Sequence, residues 1–404
     1  MKKNISLFAI LFLVIPVLAL TACGSNEEPE AEPEVVEEEP AEEVEEPSVD
    51  VANSEVPIVP IAAGSDRRFV VLSDGTLLGW GAGPVNGETS MDMREPVQIM
   101  DGIRSVFTDM GTFAIDANGT LWAWGHNQSG VLGDGSSMDR NTPIEVAENV
   151  QTIATSEHHT LMLTADGTVW TWGANGFGQL GNGTDQMGSQ VEHANVLDNV
   201  TSVAAGAQLS AAIRDDNTLW AWGNNRNGQL LDSTDEELSN VPVMILEDVV
   251  AVDIGFNNMF AIRADGSLYA WGENSGGRLG IGEESSPYIA TPTLVMDDVI
   301  AISASNSHTM AIRSDNSLWA WGAGVIGDDS APTANTQSPV HIMDNIVAIS
   351  AGVSQSIAVS ADGQLWIWGS NQQGRLDGTG EYVDFDRDRH ITTPVQLMDG
   401  VMLP

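Results

Sequence analysis

Five pairs of tryptophans stand two residues apart: Trp122 and Trp124, Trp170 and Trp172, Trp220 and Trp222, Trp319 and Trp321, Trp366 and Trp368. Indole faces at this density are a potential stacking surface for sugars or bases. His158 beside His159, with His308 in an equivalent stretch, raises the question of a metal or a general base. Asp384, Asp386 and Asp388 alternate like the start of a calcium loop. Each reading can be weighed against its surroundings. Residues two apart on a strand point to one side of their sheet, and Leu78 and Tyr269 replace the first tryptophan in two further copies. Interchange of Trp, Tyr and Leu fits packing between sheets. The histidines show no H-E-x-x-H or comparable ligand spacing. The aspartate run lacks glycine at its sixth position and glutamate at its twelfth, and Arg387 and Arg389 compete for its carboxylates. No G-x-S-x-G and no phosphate loop is present. With 57 acidic residues in the chain, nearby carboxylates carry no signal for acid–base catalysis. The expectation is therefore no metal, no cofactor and no catalytic residue.

These side chains sit in elements that repeat. The dipeptide Trp-Gly ends at Gly81, Gly125, Gly173, Gly223, Gly272, Gly322 and Gly369, at spacings of 44 to 50 residues. Each copy holds four short β-like segments, as in SVAAG, SAAIR, TLWAW and VPVMI, rich in Val, Ile and aromatics. Asp74-Gly75, Asn118-Gly119, Asp166-Gly167, Asp265-Gly266 and Asp362-Gly363 read as hairpin turns between the second and third segments. Four antiparallel strands repeated seven times predict an all-β, seven-bladed β-propeller over residues 56–404. The small first segments (IAAG, VAAG, ISAG) belong on the crowded axis. The proline-led fourth segments belong on the outer edge, where a missing N–H is tolerated. Residues 49–54 are left as an added or swapped outer strand at the point where the ring closes.

Ahead of the repeats lie two segments of another kind. Lys2 and Lys3 precede an apolar run from Ile5 to Leu20, and Leu20-Thr21-Ala22-Cys23 follows. This resembles a bacterial lipoprotein signal, which implies removal of residues 1–22 and lipidation of Cys23. Residues 23–55 then read as a disordered tether, with fourteen acids and no base after Cys23. Like charges and prolines keep such a segment extended. Cys23 is the single cysteine, so no intrachain disulfide can form. Residues 56–404 carry 43 acids against thirteen arginines and no lysine, a net charge of −30. Such a surface repels phosphate backbones, and nucleic acid is excluded as a partner. The same imbalance also fits a high-salt habitat, in which thermal stability would rise with salt.

The pattern G-x-x-H/x-[ST]-x-A-[IL]-x-x-D-G-x-[LV]-W-x-W-G-x-N-x-x-G-Q-L-G, clearest in the third and fourth copies, resembles the regulator of chromosome condensation repeat family. Ser156 to Thr160 and Asn306 to Thr309 keep its histidine, where other copies have Arg67, Leu209, Met259 or Gln355. The resemblance implies a propeller that binds through loops on one face. It brings nucleotide exchange and chromatin binding as family activities, but the acidic surface, the secretion signal and the lack of a basic tail argue against both.

Loops after the first and third strands share one face, here called the first, and carry the irregular residues. The candidate binding residues there are Arg67, Arg68, His158, His159, Phe177, Phe256, Asn257, Tyr288, His308, Tyr382 and Phe385. For His159 and His308 a hydrogen bond between blades competes with that reading. Three functions stay open: a monomeric, membrane-anchored module binding an envelope or extracellular protein; a secreted carboxylate-based hydrolase or lyase; and a structural or adhesion protein of the envelope.

Overall fold

The structure, a computed structural model, describes residues 58–82, 93–184, 188–231, 236–282, 286–330, 335–371, 376 and 390–404. Cys23, the tether, Tyr382, Phe385 and the aspartate run at 384–388 lie outside the described residues. The described strands fall into seven four-stranded antiparallel sheets, each made of strands consecutive in sequence. Blade 1 shows the plan: inner strand Ile61–Ala63, second strand Arg67–Val71, third strand Leu77–Gly81 and outer strand Met93–Met100. Blade 4 repeats it with Val200–Ala205, Leu209–Arg214, Leu219–Asn224 and Leu238–Leu246. This is the seven-bladed propeller expected from the repeat.

Turn chemistry explains why the repeat tolerates two spellings. Between second and third strands one residue takes a left-handed conformation, as at Gly75 (φ 84°) and Gly167 (φ 81°). In blades 4 and 6 that place is taken by Asn217 (φ 62°) and Asn316 (φ 63°), the residue type that visits this region most readily after glycine. The aspartate before it caps the turn: Oδ1 of Asp74, Asp166 and Asp265 accepts the N–H of Thr76, Thr168 and Ser267. These hydrogen bonds hold the Asp74 and Asp265 carboxyls below the usual range, and at Asp166 the Thr164 hydroxyl leads and the Thr168 N–H adds to the same effect.

Seven tryptophans, one per blade from Trp80 to Trp368, are fully buried. Where the repeat is complete, the indole N–H is spoken for by the preceding blade. Nε1 of Trp172, Trp222, Trp271 and Trp321 donates to the carbonyls of Val131, Gln179, Gln229 and Arg278, at 2.7 to 2.9 Å. Those carbonyls lie in the loop that follows the preceding blade's own third strand. The loop is braced by its asparagine: Oδ1 of Asn127, Asn175, Asn225, Asn274 and Asn371 accepts the N–H of a leucine five residues on. Each of those leucines is buried. The N-x-x-G-x-L loop is thus inter-blade scaffold, and its variable middle positions alone are free to do other work.

The first tryptophan of each pair departs from expectation. Trp122, Trp170, Trp220, Trp319 and Trp366 are half-buried, not sealed between blades. They lie toward the opposite end of the third strand, where in blades 4, 5 and 6 an arginine at the end of the second strand covers the ring at this position. The Arg214 guanidinium lies 4.4 Å from the Trp220 ring centre, and Arg263 stands 5.0 Å from Tyr269. Such cation–π contacts at partly exposed sites contribute about 0.5–1 kcal/mol each.

Residues 49–54, read from the sequence as an added or swapped outer strand, lie outside the described residues, and the described part of the closure is made by the C-terminal segment. No outer strand is swapped among the described residues; the inner strand of blade 1 is completed by the C-terminal segment. Leu72 bridges Val401 antiparallel, in the register by which Arg214 pairs with Val200 in blade 4. The Met402 N–H donates to the Val71 carbonyl at 2.9 Å, and Val71 N–H to Pro60 at 2.8 Å. Val401 and Met402 are both buried. After the seventh outer strand, His390–Met398, the chain therefore begins an eighth inner strand and lends it to blade 1.

Candidate binding face

The seven inner strands surround an axial cavity of about 370 Å³. Its first-face mouth is ringed by the residue two positions before each second strand. Counted by repeat, that ring reads Ser65, Asp109, Glu157, Ala207, Phe256, Asn306 and Val353. The next position out reads Asp66, Met110, His158, Gln208, Asn257, Ser307 and Ser354. Asn306 of blade 6 reaches across the mouth toward blade 3, its Nδ2 3.5 Å from Oε1 of Glu157. Burial and the nearby Glu157 push the Asp109 carboxyl up to about 7, against the opposing pull of Arg67. Deeper in, Asp253 is pushed up to about 6 by burial. Its Oδ2 accepts the N–H of Ala304 at 2.7 Å, joining the inner strands of blades 5 and 6. Ser303 and Ser350 do the same for the next two pairs, accepting from Ala351 and Ala63 at 3.0 Å.

The predicted site residues divide by burial. Arg67 is 5% exposed and Arg68 fully buried, so neither is an interface anchor. Nη2 of Arg67 donates to the carbonyls of Asp109 and Met110 in blade 2, at 3.0 and 2.5 Å, and so holds a neighbouring loop in place. His159 and His308 are buried as well. Their Nε2 atoms lie 2.7 Å from Ser210 Oγ and Ser356 Oγ of the following blade. Burial drives their pKa values down to about 3 and about 4, so both rings stay neutral. A hydrogen bond between blades is what Arg67, His159 and His308 supply, while Arg68 donates to the Asp66 carbonyl of its own blade. The structure also corrects the alignment of this position in blade 5. Asn258, not Met259, pairs with the Trp-Gly glycine there, as His159 does in blade 3.

The remaining described candidates reach the surface. His158 is half-buried with its side chain 45% exposed, and its Nε2 lies 3.8 Å from Glu157. Phe256 is 37% exposed and Tyr288 48%. Phe177 is half-buried under the Arg226 guanidinium at 5.6 Å, and Arg226 pairs with Glu237 at 3.2 Å. Asn257 is tied down, its Nδ2 donating to Glu273 at 3.0 Å. Met110, 39% exposed, joins this face without having been singled out from the sequence. The repeat frame held a signal for it, since each mouth residue occupies a fixed offset from its Trp-Gly pair. Among the described residues no group of three or more His, Cys, Asp or Glu is placed to hold a metal ion.

A ring of seven sheets locked by one buried tryptophan each defines a repeat propeller. The family follows from comparison: the model of the RCC1-like domain matches residues 20–328, and that of the regulator of chromosome condensation (RCC1) repeat matches residues 346–375. The chain belongs to the RCC1-like family. Its fold is similar to that of Prp20p from Saccharomyces cerevisiae, with a TM-score of 0.68 and 20% identity over 85% of this chain and 87% of that one. That structure was described together with its binding to Gsp1p and histones. Human WBSCR16 superposes with a TM-score of 0.66 at 21% identity, covering 85% of this chain and 91% of that one. The ultraviolet-B receptor UVR8 of Arabidopsis thaliana is 33% identical over 110 residues, which span a quarter of either protein.

Proposed function

We propose that the protein is a lipid-anchored, extracytoplasmic propeller that binds a protein partner of the cell envelope through its first face, without catalysis. The observation that carries this reading is the contrast between the two faces. On the second face the hairpin turns are near-copies, five of them spending an aspartate on their own backbone. On the first face the equivalent positions differ from blade to blade and leave Met110, His158, Arg226, Phe256 and Tyr288 at the surface. Exposed aromatics and an arginine in an acidic surround are the residue types that anchor interfaces. Relatives in the family that bind proteins support this choice; the sequence features around Cys23 support the anchor.

Two experiments test the reading. Metabolic labelling with a palmitate analogue should mark the wild-type chain and leave Cys23→Ser unlabelled and released from membranes; equal labelling of both would remove the anchor. For binding, the partner captured from envelope extracts by the intact chain should be lost with Met110→Ser, His158→Ala, Phe256→Ser and Tyr288→Ala combined. Retained capture would remove the first face.

A further inference from the structure

The loop after the third strand of blade 6, Leu318–Gly322, is three residues shorter than its counterpart in blade 3. Blade 3 reads Ala174-Asn175-Gly176-Phe177-Gly178-Gln179-Leu180-Gly181 where blade 6 reads Ala323-Gly324-Val325-Ile326-Gly327, so the Asn-x-x segment is missing. The far end of the loop nevertheless keeps its place. A Cβ on Gly327 would stand 3.0 Å from Nε1 of Trp368, as one on Gly181 would stand 2.6 Å from Nε1 of Trp222. Ile326, at the leucine's position, is 1% exposed.

Two donors lose their acceptors with that segment. Trp368 is fully buried and its Nε1–H donates to nothing, whereas Trp172, Trp222, Trp271 and Trp321 each meet a loop carbonyl. The Ile326 N–H also has no acceptor among the described residues, although the leucine N–H at this position in five other blades donates to an asparagine side chain. Nε1 of Trp124 and of Trp366 is unpartnered as well. For Trp124 the counterpart loop, that of blade 1, lies outside the described residues beyond residue 82, and Trp366 is the half-buried member of its pair. A buried donor without an acceptor is destabilising until one arrives.

Space opens at the same place. A cleft of about 300 Å³ lies on the first face between blades 6 and 7, walled by the shortened loop at Ala323 to Val325, by Ser307 and His308, and by Ser354, Ser370 and His390. None of these walls is acidic, in a chain whose surface is. Val325 packs in one core cluster with Trp368 and directly precedes Ile326, so the cleft ends beside both unpaired donors.

We propose that this cleft binds a short uncharged peptide turn of the partner, with an asparagine whose side-chain oxygen accepts from the Ile326 N–H. The chemistry follows from the other blades, where a peptide turn fills this space and an asparagine amide meets this N–H. Ser354 and Ser370 offer hydroxyls to the peptide backbone. The inference rests on the first face being the binding face, and it centres the partner on blades 6 and 7.

Peptide binding to the intact chain, followed by NMR, tests it. The blocked peptide Asn-Gly-Phe-Gly-Gln-Leu, the sequence of residues 175–180, should bind about tenfold more tightly than Ala-Gly-Phe-Gly-Gln-Leu. Inserting Asn-Gly-Phe between Ala323 and Gly324 rebuilds the blade 3 loop; it should raise the urea midpoint and abolish peptide binding. Ser354→Tyr, at an exposed wall position, should weaken binding without moving the midpoint, and it serves even if the insertion variant does not fold. Equal binding of the two peptides, binding of neither, undiminished binding in either variant, or an insertion that leaves the midpoint unmoved overturns the proposal. Partner capture separates it from the first-face reading. Capture lost with Met110→Ser, His158→Ala, Phe256→Ser and Tyr288→Ala combined but kept by the insertion variant removes the cleft and leaves the face.

Discussion

Asp253 is a carboxylate doing the work of a serine. Ser303 and Ser350 accept the same inter-strand N–H without bringing a charge into the axial cavity. Since the folded value of Asp253 lies above the ordinary carboxylate range, the cost of holding it ionised is present above about pH 6 and fades as it takes up its proton. Asp253→Ser should therefore raise the denaturation midpoint near neutral pH, by on the order of 1 kcal/mol, with the gain shrinking toward about pH 4. A gain independent of pH, read as the difference between variant and wild type, would contradict this. The difference matters because His159 and His308 run the other way, staying neutral in the fold and losing stability as pH falls below the ordinary histidine value. This scale is also where sequence reading was weakest. Arg67 and Arg68 look like interface anchors because sequence shows their charge and not which side of the strand they take. The frame held the correction, for Arg67 stands where other blades place His159 and His308.

At the scale of the element, the unit of cohesion is the third strand together with the loop that follows it. The loop caps the tryptophan of the next blade, and its glycines let the backbone approach the indole. A Cβ on Gly181 would stand 2.6 Å from Nε1 of Trp222, on a backbone with φ of 67°. Gly181→Ala should cost about 1–3 kcal/mol and be felt in blade 4 as much as in blade 3. Trp222 fluorescence and the urea midpoint report it together; a destabilisation leaving the indole environment unchanged would contradict the cap. Strand number, order and radial position were all legible because the motif recurs seven times with a spacing that leaves no room for helices. The half-exposure of the first tryptophans was not legible. It depends on where along the strand each ring falls, and in blades 4 and 6 on an arginine from the second strand that covers it.

For the whole molecule, closure rests on the last residues of the chain. Removing Val401 to Pro404 takes two buried side chains from the inner strand of blade 1, and should cost on the order of 3 kcal/mol or more. Hydrogen exchange should rise first in blades 1 and 7; uniform loosening of all blades would argue against a latch. An acidic ring so closed presents one regular and one irregular face, and the central claim is that the irregular face binds. Partner capture by the intact chain measures this most directly, comparing Met110→Ser, His158→Ala, Phe256→Ser and Tyr288→Ala combined with Asp101→Asn, Asp198→Asn and Asp344→Asn combined. The latter three are second-face residues between the outer strand of one blade and the inner strand of the next. Capture abolished by the first set and preserved by the second is the predicted result, and capture lost only with the second set would contradict it.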